Sequence, residues 1–251
     1  MQHTQSRCNL TLALAGVLML ALYAAGPIAQ LADYHNFADR RALYGLANAA
    51  DVLSNLGFLL VGMAGLALAL KARGPDSARP AWMAFFIALI LTAFGSSWYH
   101  LAPDDLRLVW DRLPIALACA SLLAAVLQGS LDESIQAAFV LAALLVFGAV
   151  SVGWWALTDD LRPYLLLQLA PLMLIPVLQW QAGAPKAERR AFGLAIALYV
   201  LAKLFEIGDT AVLDATGIVS GHTAKHLAAT LAALVLVRSF AQRGQDSGRR
   251  C

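Results

Sequence analysis

Residues 94–114 read FGSSWYHLAPDDLRLVWDRLP and lie between two long oily runs. Proline and aspartate at Pro103 and Asp104 break the pattern, so the stretch reads as the joint between two membrane helices. It carries Ser96, His100 and Asp111 at depths where lipid is expected. Ionisable groups in a spanning helix are costly and mark functional sites by default.

The whole chain agrees with a membrane setting. Of its 251 residues 60% are hydrophobic and only 14% are charged, against about 25% charged in a soluble domain. Mean hydropathy is +0.68. The net charge of +2 and the lack of a basic cluster with interleaved aromatics set nucleic acid aside. Cys8, Cys119 and Cys251 are far apart and form no CxxC, so they read as free thiols.

A spanning helix needs about 20 mostly apolar residues. Eight segments meet or approach this: A about 10–32, B about 48–70, C about 81–102, D about 105–128, E about 133–156, F about 161–181, G about 190–208 and H about 221–239. Short loops rich in charge and proline, such as RGPDSARP and GAPKAERR, join them. Segment A follows a short basic tail, but its length and the poor cleavage site at Pro27-Ile28-Ala29 favour a retained helix over a signal peptide. The expected fold is all-α, with 1–47 as an N-terminal helix and outer loop, 48–240 as a seven-helix domain, and 241–251 as a disordered tail.

Lysine and arginine in the loops set orientation. The side shared by the termini carries eleven: Arg7, Lys71, Arg73, Arg79, Lys186, Arg189, Arg190, Arg238, Arg243, Arg249 and Arg250. The other carries five: Arg40, Arg41, Arg107, Arg162 and Lys203. Both termini are therefore expected in the cytoplasm. Asn48, Asp51, Ser54 and Asn55 open segment B, Ser96 and His100 close C, Asp111 lies two turns into D, Glu206 and Asp209 end G, and His222 and His226 open H. Alternating helix directions bring all of these to the outward side, as one polar pocket.

Residues four apart share a helical face. Ser96 and His100 do so, as do His222 and His226. Three converging histidines suit one zinc ion with a fourth position left for water. In that scheme Asp111 is general base then acid, and Ser96 donates to the developing oxyanion. Trp98 and Tyr99 read as interfacial anchors, and Asp104 as an N-cap. Lys203 and Glu206 read as a mutually neutralising pair, and Lys225 as a side chain that snorkels outward.

Taken together, SxxxH at Ser96–His100, Asp111 eleven residues later, HxxxH at His222–His226 and DVLSNLGFLLVG at 51–62 resemble the alkaline ceramidases. They also resemble the wider CREST superfamily of membrane hydrolases, which includes the progestin and adipoQ receptors. The resemblance spans segments B to H and implies a seven-transmembrane core with one helix, A, added before it. It implies one zinc per chain on His100, His222 and His226, and hydrolysis of ceramide to a sphingoid base and a fatty acid. In YHNFADRRALYGLANAAD (34–51) the family's calcium-binding glutamate falls on Asn48 and its asparagine on Asp51, which speaks against Ca2+. The Ala- and Leu-rich composition suggests a bacterial inner-membrane protein, for which another long-chain amide or ester is an alternative substrate. Rival readings are a receptor-like or sensor member of the superfamily, or a proton or ion transporter using Asp51, Asp111, Lys203 and Glu206. A bis-histidine haem protein fits less well, since no CxxCH is present.

Overall fold

The oily runs fold as helices. The computed structural model describes residues 2–72, 76–128 and 134–248, and among the described residues there is no β-strand. The helices are α1 (Gln2–Ala24), α2 (Ala49–Ser54), α3 (Leu56–Lys71), α4 (Arg79–Leu101), α5 (Asp105–Gln128), α6 (Ser134–Thr158), α7 (Arg162–Gln181), α8 (Lys186–Ile207), α9 (Asp209–Thr216) and α10 (Gly221–Gly248). Among the described residues, six spans are long and apolar enough to cross a membrane, and seven if α8 and α9, bent by 85° at Gly208, count as one. Leu60, Leu70, Phe94, Phe139 and Leu204 are exposed on these helices. Apolar surface on that scale marks contact with lipid.

Three boundaries differ from the sequence reading. Segment A was expected to reach residue 32, but α1 stops at Ala24, where Gly26 at φ +71° and Pro27 end it. Its apolar part, Leu10–Ala24, is shorter than the other spans. Segment B is two helices, α2 and α3, broken at Asn55. The tail expected to be disordered from 241 begins as helix, because AQRGQDSG has no proline to stop α10 before Gly248. Residues 249–251, and with them Arg249 and Arg250, lie outside the described residues, as does Arg73.

Two compact units divide the chain. The first comprises Met1–Gln30, Pro75–Phe85 and Ala116–Arg189. Within it α1 packs on α7, and α7 on α6. The Thr11 hydroxyl donates to Gln181 Oε1 at 2.9 Å. Ile28 N donates to Asp160 Oδ1 at 3.2 Å, and Leu161 N to the Ile28 carbonyl at 2.8 Å. Arg162 holds the Asp160 carboxyl well below the usual range.

The second unit, Leu31–Gly74, Phe86–Ile115 and Arg190–Cys251, contains every candidate site residue. Here α10 packs against α2, α3 and α9. Close helix approach is achieved with small residues, as membrane packing favours. A Cβ on Gly57 would meet Thr230 side-chain atoms at 2.7 Å, and one on Gly62 would meet Ile90 at 2.8 Å. The crossing of α4 and α5 is tighter still, since a Cβ on Gly95 would collide with the Trp110 carbonyl oxygen. Pro114 lacks the N–H that would bond this carbonyl within α5. Gly95 and Pro114 thus act together: one removes a side chain, the other frees an oxygen, and the two backbones meet beside Asp111.

Candidate metal centre

Three histidines converge inside the second unit. His100 lies at the end of α4, and His222 and His226 lie one turn apart at the start of α10. They are 0%, 4% and 3% exposed, and one nitrogen of each lies within 4.8 Å of the others. His100 Nε2 and His222 Nε2 are 3.2 Å apart. Two nitrogens bonded to one tetrahedral zinc at about 2.0–2.1 Å would be about 3.3 Å apart. The spacing and donor set therefore fit a single ion. His100 Nδ1 is buried without a hydrogen-bond partner.

His226 has its outer nitrogen fixed. Ser54 Oγ donates to the Asp51 carbonyl at 2.9 Å and lies 2.7 Å from His226 Nδ1. Its single proton is spent on the carbonyl, so Nδ1–H of His226 donates to Ser54. That leaves the Nε2 lone pair facing inward. Such outer partners set the tautomer of a metal-ligating histidine.

The break at Asn55 serves this arrangement. Asn55 Nδ2 bonds the Asp51 carbonyl at 2.9 Å, and Asn55 N bonds Val52 at 3.3 Å, a tighter turn than the α-helix uses. Asp51 is fully buried, and its Oδ1 accepts from Thr223 at 2.6 Å and Ser220 at 3.4 Å. Ser220 also accepts from Thr223 N at 3.0 Å, capping α10. Asn48 stands outside the pocket's chemistry. At φ 46° it takes the left-handed conformation that asparagine tolerates, and its Nδ2 donates to the His100 carbonyl at 2.7 Å. It ties off the end of α4, where carbonyls lack helix partners.

Ser96 and Asp111 are both buried, and they lie at the tight crossing of α4 and α5 that the bare Gly95 permits. Ser96 lies one turn from His100, so the pair stands next to the histidines. Arg112 holds its guanidinium 5.2 Å over the Tyr34 ring.

Glu206 joins three donors: Lys203 Nζ at 2.8 Å, Lys225 Nζ at 2.8 Å and the Tyr34 hydroxyl at 3.2 Å. The expected Lys203–Glu206 pair is present. Lys225 does not snorkel outward, because Glu206 faces it from α8 and holds it among the helices. Tyr99 is not an interfacial anchor either. It is buried, with its hydroxyl 2.9 Å from His35 Nδ1. Trp98 is half exposed, under Arg107 at 4.8 Å. Asp104 caps α5 as expected, accepting from Arg107 N at 2.7 Å.

The sequence reading missed the cover of the site. Residues 31–47 fold over the histidines, and the Phe37 ring lies 4.7 Å from that of His100 and 4.5 Å from that of His222. Asp209 pins the cover: Oδ2 accepts from Ala38 N at 2.9 Å and Oδ1 from His222 N at 2.8 Å. Arg41 bonds both oxygens of Asp39, at 2.8 and 2.6 Å, and the Ile218 carbonyl at 2.5 Å. That guanidinium holds the Asp39 carboxyl below its usual range. Burial raises the Tyr34 phenol. Gly221 completes the assembly, since a Cβ there would collide with the Phe205 carbonyl.

Searches against protein-family models and against curated proteins find no match to this chain.

Proposed function

We propose that the chain is a zinc-dependent intramembrane hydrolase. Its substrate is a ceramide-like lipid amide, cleaved to a sphingoid base and a fatty acid. The observation that carries this reading is the conjunction of three buried histidines, one nitrogen of each within 4.8 Å of the others, with the buried Ser96 and Asp111 at the α4–α5 crossing next to His100. A structural metal site alone has no use for that pair.

Zinc on His100, His222 and His226 would polarise the scissile carbonyl and bring a water's pKa toward neutrality. Asp111 takes a proton from the attacking water and returns it to the leaving amine. The Ser96 hydroxyl donates to the developing oxyanion. Phe37 and the 31–47 cover exclude bulk water, which strengthens each of these interactions.

In this reading α1 is an added span before a seven-helix core, with both termini cytoplasmic and the site toward the outer face. The lysine and arginine bias supports the orientation. Asp39 and Asp209 are already taken by Arg41 and by two backbone amides, which supports a site without Ca2+. The test is fatty-acid release from a panel of long-chain amides and esters. The wild type cleaves at least one lipid amide, and Asp111→Asn loses about 10²–10⁴-fold. Full activity in Asp111→Asn would remove the base from this scheme.

A further inference from the structure

The cover carries one feature that the chemistry above does not use. Between Arg41 and Ala49 the chain makes a narrow loop, closed at its base where Ala49 N donates to the Arg41 carbonyl at 3.1 Å. At its tip Leu43 and Leu46 exchange both backbone hydrogen bonds, at 3.1 and 3.0 Å. The two residues between them, Tyr44 at φ 49° and Gly45 at φ 83°, are both left-handed, as a tight two-residue hairpin turn requires. Glycine or asparagine is the usual choice for such a backbone. Tyrosine brings the turn no conformational advantage. Its side chain brings none in packing either, since Tyr44 is 101% exposed. Leu43 beside it is 51% exposed.

The loop opens the span Ala49–Lys71. The 23 residues of that span cover about 34 Å at a rise of about 1.5 Å each, slightly more than the hydrocarbon core of about 30 Å. Ala49 therefore lies at the edge of the core. Tyr44 is three residues from Arg41, which is bonded to Ala49, and three residues of chain reach at most about 11 Å. The headgroup layer, about 5–7 Å deep on each side, is within that reach. The same stretch of chain continues into Leu53, Leu56 and Leu60, exposed on the lipid-facing surface of α2 and α3. A tyrosine joins an apolar ring to a polar hydroxyl, which suits the boundary between lipid and water.

We propose that the Leu43–Tyr44 tip is a membrane-interface anchor, which seats the cover in the headgroup layer of the bilayer. This contact needs no turnover and stands apart from the hydrolase reading.

The test uses the full chain in phosphatidylcholine vesicles, with Cys8, Cys119 and Cys251 changed to alanine and one nitroxide attached at Ala42→Cys. Ala42 is exposed, and labelling it leaves both anchor residues in place. Collision of the label with oxygen, relative to collision with a water-soluble nickel chelate, reports depth. The ratio at 42 is expected to stand several-fold above that of Asp214→Cys, an exposed charged position on α9, and below that of Leu60→Cys on the lipid face. Tyr44→Asp suits a left-handed backbone and should lower the ratio at 42 to the Asp214→Cys level, whereas Tyr44→Trp keeps it high. A ratio at 42 equal to that of Asp214→Cys, or one that Tyr44→Asp leaves unchanged, overturns the proposal. Spectral broadening that vanishes on dilution with unlabelled protein assigns the tip to a second copy of the chain and overturns it as well.

Discussion

His100 and His222 are 122 positions apart in the chain, yet their Nε2 atoms face each other at 3.2 Å. Two neutral imidazoles held this way, both buried, satisfy each other poorly. One nitrogen must donate, and the third histidine then has no claim on either. A metal ion satisfies all three at once. The surrounding fold is arranged to hold this separation, through Asn48 at the His100 carbonyl and Asp209 at the His222 amide.

The Ser54 contact sets the outer nitrogen of His226. Ser54→Ala is expected to keep the fold and weaken metal binding about 10–100-fold. Competition with a chromophoric chelator measures this. An unchanged affinity would mean that the tautomer of His226 is fixed by something else.

Asp209 serves two masters, the cover and α10. Asp209→Ala leaves Ala38 N and His222 N without their acceptor, at about 1–3 kcal/mol for each such buried group. Amide hydrogen exchange in 31–47 should rise in this variant, while exchange in α6 and α7 should not. Uniform loosening of the whole chain would contradict a local role.

Gly95 and Pro114 shape the approach of α4 to α5. Gly95→Ala forces a methyl against the Trp110 carbonyl and is expected to cost about 1–3 kcal/mol, as overpacking does. Because the strain falls between Ser96 and Asp111, activity should fall further than stability. Gly153→Ala, with open space at its Cβ position, is the control and should behave as wild type. Equal effects at both glycines would show that the tight crossing does not matter.

Phe37 packs on two of the three histidines. Phe37→Ala opens the cover and is expected to cost about 3–5 kcal/mol of stability if the loop stays rigid, less if it collapses inward. Metal should also leave faster from this variant, as followed by the rate of zinc transfer to a chelator. An unaltered rate would mean that the cover is not a barrier.

The helices and the three histidines were legible because their signals are local. Oily runs of spanning length and i, i+4 pairs survive in one dimension. Asp105–Gln128 was bounded correctly because Pro103 and Asp104 mark its start. The break at Asn55 was not legible, since 48–70 reads as a continuous oily run and only the Asn55 and Ser54 back-bonds to Asp51 reveal it. Lys225 was misread for a similar reason. The Glu206 that holds it comes from α8, which the sequence around Lys225 does not reveal. The cover over the site depends on Tyr34, His35, Ala38 and Arg41 reaching partners in four other elements, and no spacing rule encodes such contacts. Asp209 looked like the end of a helix, whereas it begins α9 after the bend at Gly208.

Metal content of the purified protein tests the central claim most directly. Plasma mass spectrometry should find about one zinc per chain in the wild type and in Asp111→Asn, and almost none in His226→Ala. A folded wild-type protein without metal after purification in zinc-supplemented buffer would contradict the account. So would a metal content that His226→Ala leaves unchanged.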